Sequence, residues 1–540
     1  MKKDLNKKMN ILAIILILLL SVLNIWKSRY GFCSEDESFI IGLLQRFYSG
    51  DKMFIDEWNP AQISIVFLMP IFAVYKQLFN NNEYVFLFFR VFYVLVNSIA
   101  SYLLYRKIAK YGEISLIIVT LYLLFTVGQL MVSNYNTIGL ACFVFFLSTY
   151  ESDKKYVQYI SGIFFAISVV CVPILAFTYI NYFLYKIIRK NLTRFDINFF
   201  LGIITAAIVY LIILLNNISL SELDKGFNNI SNDNTHSMSF FLIIKKSLYL
   251  MYMTCFKNKI TLISASLYVI LLLYFVFDKK YQERKSVYIV TAFILTIIFM
   301  FGMYQFENYL YYGLIPLGII LIRLCNDKSV VQMFILGIIY LFSINACSDS
   351  IIFAASQGAM IVGFSVIIMI NDIVKVNKIY LYFSIFILFY LFVMSLYGKI
   401  NKIYYSKNTF QLNYHIAEGC AKGLITDEGN YHDYVIYFNE IKNNEYMHDK
   451  VLIFTNMSWM YLVNDIDCAN FSMWMPSNQN YQEYFEINIL KYYDMNKDKI
   501  PDTIYVPNST KDGLYNYDEL VAKIGNYQKV ELMNGDIYKK

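Results

Sequence analysis

Apolar residues in this chain fall in blocks of roughly 16–22 positions divided by polar breaks, near the length that crosses bilayer hydrocarbon as a helix. The first block is Ile11–Trp26. Later blocks cover 84–105, 113–131, 136–150, 156–172, 174–189, 198–216, 260–277, 286–303, 309–324, 329–346, 351–370 and 379–397. Together they predict about 13 spanning helices. Basic residues sort the connections. Lys2, Lys3, Lys7 and Lys8 precede the first block, and no small-residue cleavage site follows it, so it reads as an uncleaved span. Alternate loops carry Arg106, Lys107 and Lys110; Lys154 and Lys155; Lys186, Arg189 and Lys190; Lys279, Lys280, Arg284 and Lys285; Arg323 and Lys328; Lys375 and Lys378. The turns at 131–136, 172–174, 304–309 and 346–351 hold no Lys or Arg. By the positive-inside rule the N-terminus is cytoplasmic, and an odd number of spans places the C-terminal segment outside.

Two apolar stretches break this rhythm. Ile63–Phe79 contains Pro70 and Lys76, and counting it as a span would invert the charge pattern. It is expected to lie in the interface or re-enter the membrane. Ser239–Phe256 holds Lys245 and Lys246 in its middle and is assigned to an outer loop as an amphipathic helix. The organisation expected is a membrane domain over 1–397, with large outer loops at about 27–83 and 217–259, and a polar domain over 398–540. That tail carries strand-like runs at Val451–Thr455 and Thr503–Val506, and an Asn534-Gly535 turn, so a small extracytoplasmic α/β domain is expected.

Composition agrees. Of 540 residues 58% are hydrophobic and 18% aromatic, above the soluble norm of roughly 45–50% apolar. The 49 Tyr and 45 Phe suit membrane–water interfaces. The net charge of +6 matters less than its distribution, and no nucleic-acid partner is expected. The 8 Cys form no CxxC motif and the 4 His no HExxH motif. Cys420 and Cys468 share the C-terminal domain, which leaves a disulfide between them open.

Chemistry gathers in the first outer loop, where Asp36-Glu37 and Asp56-Glu57 stand beside the membrane. Phe39, Ile40, Leu43, Leu44 and Phe47 follow with helical spacing, which puts the first pair at a helix N-terminus. There an acid is favoured by the helix dipole, and Ser34 or Asp36 could simply cap the helix. Asp36-Glu37, then Ser49-Gly50-Asp51, then Glu57-Trp58-Asn59-Pro60 resembles the first outer loop of GT-C class glycosyltransferases. Within that class it looks most like the aminoarabinose transferase and protein O-mannosyltransferase family. Asn308-Tyr309-Leu310-Tyr311-Tyr312-Gly313-Leu314-Ile315-Pro316 is similar to that family's Arg-Tyr-x-x-Pro-x-x-Pro run, without the Arg. Trp58 and Asn59 stand where the family often has Lys-Pro. The tail, with Gly419-Cys420-Ala421-Lys422-Gly423-Leu424 and Pro501-Asp502-Thr503-Ile504-Tyr505-Val506, resembles uncharacterised bacterial members of the superfamily.

The resemblance implies an inverting transfer of a sugar from a polyprenyl-phosphate donor to a glycan, lipid or protein acceptor at the outer face of a bacterial plasma membrane. Asp36 would be the base and Glu37 its orienting partner or an acceptor contact. Lys52, Lys245, Lys246, Asp56 and Glu57 are candidates for the donor phosphate, the last two through a divalent cation. Glu307, Tyr311 and Asp349 are further candidates. A transporter or flippase for lipid-linked sugars is the alternative from another class, and a polysaccharide polymerase or ligase a second. A transporter would place charges inside broken spans, and a polymerase would carry Arg in a large late loop.

Overall fold

The structure is a computed structural model, and it describes residues 2–216, 218–231, 245, 248–249, 252–253, 258–347, 352–375, 377–475, 482–511 and 516–540. Each of the 13 apolar blocks forms a helix. The first are α1 (Lys2–Lys27), α2 (Asp36–Tyr48), α3 (Met69–Phe79), α4 (Val85–Ile108), α5 (Ile114–Leu124), α6 (Tyr135–Thr149), α7 (Lys155–Cys171), α8 (Ile174–Ile188) and α9 (Arg194–Leu215). Later apolar helices cover Lys259–Phe277, Tyr281–Gly302, Leu314–Leu321, Lys328–Cys347, Ile352–Val374 and Lys378–Asn401. Among the described residues eight helices are long and apolar enough to cross a membrane. α5 to α8 are apolar but shorter. The protein is a multi-pass helical membrane protein.

The basic loops meet at one end of the bundle, where Lys107 pairs with Glu151 and Lys110 with Asp327 at 3.2 Å. The C-terminal domain sits at the other end, called here the domain face. Helix crossings are close where glycine allows it. A Cβ on Gly162 would stand 2.1 Å from the Phe199 carbonyl oxygen, and one on Gly202 2.1 Å from that of Tyr159, so α7 and α9 touch backbone to backbone.

The Ile63–Phe79 segment is broken as its proline suggests. A 3-10 run over Pro60–Phe67 meets α3 at a bend of 62°. Tyr75 and Phe72 are buried, so this segment packs on α4 instead of offering an aromatic face to lipid. The block at 113–131 departs from expectation. α5 stops at Leu124, and 125–134 run as irregular backbone, with Gly128 and Gln129 both at positive φ. Such backbone is tolerated at a membrane face only where it lines a cavity or is buried in protein. The block at 309–324 begins as a 3-10 run over Glu307–Gly313.

The C-terminal domain holds the expected α/β sheet. Strands β3 (Lys450–Ile453), β4 (Asp467–Cys468), β5 (Thr503–Pro507), β6 (Gln528–Glu531) and β7 (Gly535–Lys539) order as β4-β3-β5-β7-β6. β3 pairs in parallel with β4 and β5, while β7 is antiparallel to β5 and β6. A two-stranded sheet of β1 (Tyr414–His415) and β2 (Ile425–Thr426) receives the chain leaving α1, through Gly31 N–H to the Ile425 carbonyl at 2.8 Å. The first loop and this domain are not independent. Ile40, Leu43 and Leu44 of α2 share one buried cluster with Trp459, Met460 and Ile453. Cys420 and Cys468 are buried free thiols, so the disulfide left open by the sequence is absent.

Candidate functional site

A cavity of about 200 Å³ lies between the domain face and the C-terminal domain. Asp36, Phe39 and Ile40 of α2 form one wall, and Asn59 and Ala61 close the side toward the 3-10 run. Val127, Leu130 and the stretch Asn134–Thr137 come from the irregular segment and the start of α6. Tyr404 and Trp474 descend from the C-terminal domain. Trp474 follows β4, at the carboxyl end of the parallel strands, where α/β sheets present ligand-contacting loops.

Asp36 is the first residue of α2 and caps nothing. The residue preceding it, Glu35, makes no side-chain cap either. Instead Asp36 accepts the hydroxyl proton of Tyr404. Burial pushes its carboxyl above the ordinary range, and the Tyr404 bond draws it part of the way back. Burial and the neighbouring Asp36 push the Tyr404 hydroxyl up, so it stays protonated and donating. Among the described lining residues Asp36 is the one acid, half-buried and facing the cavity.

Glu37 points the other way. It is fully buried and bound by the Arg90 guanidinium at 2.6 and 2.5 Å, so it neither orients Asp36 nor reaches the cavity. Burial pushes its carboxyl up, against the pull of Arg90. The fork fixes α2 on α4, and Arg90 also donates to the Ser28 carbonyl at 2.8 Å.

Asp56 and Glu57 are likewise committed elsewhere. Glu57 accepts Arg46 at 2.9 Å, Met473 N–H at 3.0 Å and Asn59 N–H at 3.0 Å. Asp56 accepts the Lys52 N–H at 2.6 Å. Arg46 also holds Asp51 at 2.6 Å and the Asn470 carbonyl at 2.6 Å, so this acidic pair belongs to a joint between loop and domain. Their oxygens do not converge on an open point, and among the described residues no three His, Cys, Asp or Glu side chains could hold a metal ion. Among the described residues the donor set expected for a divalent cation is therefore not assembled.

Lys52 pairs with Glu222 at 3.3 Å on the surface, and Lys245 is exposed; neither lines the cavity. Lys246 and Asp349 lie outside the described residues. Tyr311 is buried among Phe125 and Phe364 in the helical core, away from the cavity. Glu307 is buried beside it and accepts Gln129 at 3.0 Å and Lys402 at 2.5 Å.

In the sequence 133–136 reads as a polar outer turn, a connecting loop or a contact to the donor. In the structure Asn134 uses its Oδ1 to cap α6, while Asn136 lines the cavity with a buried Oδ1 that has no hydrogen-bond partner. Tyr404, Trp474 and Arg90 were also missed. Arg90 left a readable trace, a lone charge early in an apolar block facing a loop rich in acids.

No family model matches the chain, and no curated protein matches it. Among solved structures it is similar to the crystal structure of ArnT from Cupriavidus metallidurans bound to undecaprenyl phosphate, at 10% identity and a TM-score of 0.43, over 98% of this chain and 97% of that one. An identity this low carries no residue roles across.

Proposed function

We propose that the protein is an inverting GT-C type glycosyltransferase. It moves a sugar from a polyprenyl-phosphate donor to a hydroxyl of a glycan, lipid or protein at the outer face of a bacterial plasma membrane. The observation that supports this best is Asp36, a raised-pKa carboxylate on the wall of the cavity just beyond the first span. An acceptor hydroxyl is a weak nucleophile, and a carboxylate in hydrogen-bond reach can take its proton as the new bond forms. The acceptor oxygen bonds to the anomeric carbon as the bond from that carbon to the phosphate oxygen breaks. The polyprenyl phosphate leaves with the electron pair, and Asp36 keeps the proton until solvent removes it. A single displacement inverts the anomeric centre. Asn59, Asn136 and Trp474 offer amide groups and an aromatic face, the usual means of holding a sugar ring.

The outer location is supported by the basic loops gathered at the opposite end of the bundle. A flippase is less well supported, because Asp36 and its cavity sit above the spans and not between them.

The test is a deletion strain complemented with Asp36→Asn, with polyprenyl-phosphate sugars and surface glycans profiled by mass spectrometry. We expect normal expression, accumulated donor and a transfer rate lower by about 10²–10⁴-fold. An Asn variant that restores the wild-type glycan would remove Asp36 as the base.

A further inference from the structure

Three lysines meet at the domain-face ends of the first and last spans, and among the described residues one carboxylate, Glu307, stands against all three. Lys27, at the end of α1, is 1% exposed and donates to the Ile400 carbonyl at 3.2 Å and to Thr409. Lys399 is fully buried and donates to the Thr126 hydroxyl at 2.5 Å. Lys402, on the rim, binds Glu307 at 2.5 Å. Neither Lys27 nor Lys399 forms an ion pair among the described residues. Glu307 is the carboxylate whose charge acts on both, and it is already held by Lys402 and Gln129. Among the described residues three lysine side chains thus share one carboxylate.

A buried amine without a paired anion tends to give up its charge, and an anionic ligand that completes the pair restores it. Helix C-termini favour cations, and both α1 and Lys378–Asn401 end here, but that effect is small and fades within a turn. The position also runs against the charge rule of the chain, which leaves the short turns of this face free of Lys and Arg.

The cluster reaches the site. Lys27 and Gln129 line a cleft of about 20 Å³ that shares Leu130 and Tyr404 with the Asp36 cavity. Among the described residues a buried Gln129 oxygen in this region has no hydrogen-bond partner. The cleft holds no more than a water, so a larger anion would stand at its mouth, beside Tyr404. Asp36 lies on the cavity side of Tyr404 and Lys27 on the cleft side.

We propose that Lys27, Lys399 and Lys402 form the site for the phosphate group of a lipid-borne phosphate, and that they stabilise its charge as the glycosyl bond breaks. The identity of the carrier rests on the transferase reading; the anion site does not. It replaces Lys52 and Lys245, which the structure leaves on the surface.

The experiment uses the full chain in nanodiscs, with undecaprenyl phosphate, undecaprenol and inorganic phosphate as probes. Lys27→Met and Lys399→Met are each expected to weaken undecaprenyl phosphate binding by about tenfold or more, toward the affinity of undecaprenol. Displacement by millimolar inorganic phosphate supports the same site and shows that a free anion fills it. Binding that needs the lipid, with no displacement, supports it as a headgroup site. Folded variants with wild-type affinity, or a loss seen with Lys52→Ala instead, would overturn the proposal. Should the buried variants fail to fold, Lys402→Gln on the rim decides it by the same tenfold criterion. Asp36→Asn separates the two readings: it is expected to bind the lipid phosphate normally while losing turnover. Lysine variants that bind normally sink the site and leave the transferase standing.

Discussion

The surroundings of Asp36, the proposed base, hold its carboxyl between two pressures. Burial favours the neutral acid, and the Tyr404 hydroxyl favours the carboxylate. A base acts only when ionised, so the acid limb of the pH–rate profile should lie above the ordinary carboxylate range. Tyr404→Phe removes the stabilising donor and should move that limb further up, lowering the rate most at acid pH and least at alkaline pH. Rates measured from pH 5 to 9 check this; a uniform loss across the range would mean that Tyr404 acts only by packing. The same shift has a stability sign. The unfolded chain releases the Asp36 proton near the ordinary aspartate value of 3.8, before the folded one does, so this group costs stability as pH rises through the interval between the two. Asp36→Asn should therefore flatten that part of the stability curve.

At the scale of elements, hydropathy located the helices because a span must be apolar along its length. It could not see where a span ends early. Residues 125–134 keep Phe125, Val127, Leu130, Met131 and Val132, enough to extend the apolar block, and the break lies in the left-handed backbone at Gly128 and Gln129. The cavity wall built there, with Val127 and Leu130, was hidden for that reason. The acid pair at the head of α2 was legible, but not which acid faces the cavity: successive helical residues diverge by about 100°, and only the Arg90 fork shows that Glu37 turns inward. Helix crossings were equally silent in the sequence. Gly202 on α9 reads as one small residue in an apolar run, yet a Cβ there would meet backbone 2.1 Å away. Gly202→Ala should force α7 and α9 apart and cost about 1–3 kcal/mol, read as a lowered melting temperature in detergent. Melting unchanged from wild type would show that the crossing has room to relax.

For the whole molecule, the tail at 398–540 reads as a separate domain by composition, yet it completes the site and is held to the first loop by buried charge. Arg46 is 4% exposed and joins Asp51 and Glu57 of the loop to the Asn470 carbonyl of the domain, and Lys499 closes the far side on Asp51 at 2.5 Å. Ion pairs of this kind add little net stability when intact, but removing one member leaves the others charged and out of water. Arg46→Met should therefore cost about 3–5 kcal/mol, far more than its loss of packing, and adding Glu57→Gln should restore part of it. The strain falls on the joint, so the domain should loosen first: limited proteolysis should release a C-terminal fragment from the variant while the helical region stays intact. Transfer should fall although Arg46 lies outside the cavity, because Trp474 and Tyr404 arrive with the domain. Lys27 and Lys399 belong to the helices and Lys402 directly follows the last of them, so binding of the lipid phosphate should survive. Loss of transfer with lipid binding retained would locate acceptor handling in the domain; loss of both together would mean that the joint holds the whole site, not one half of it.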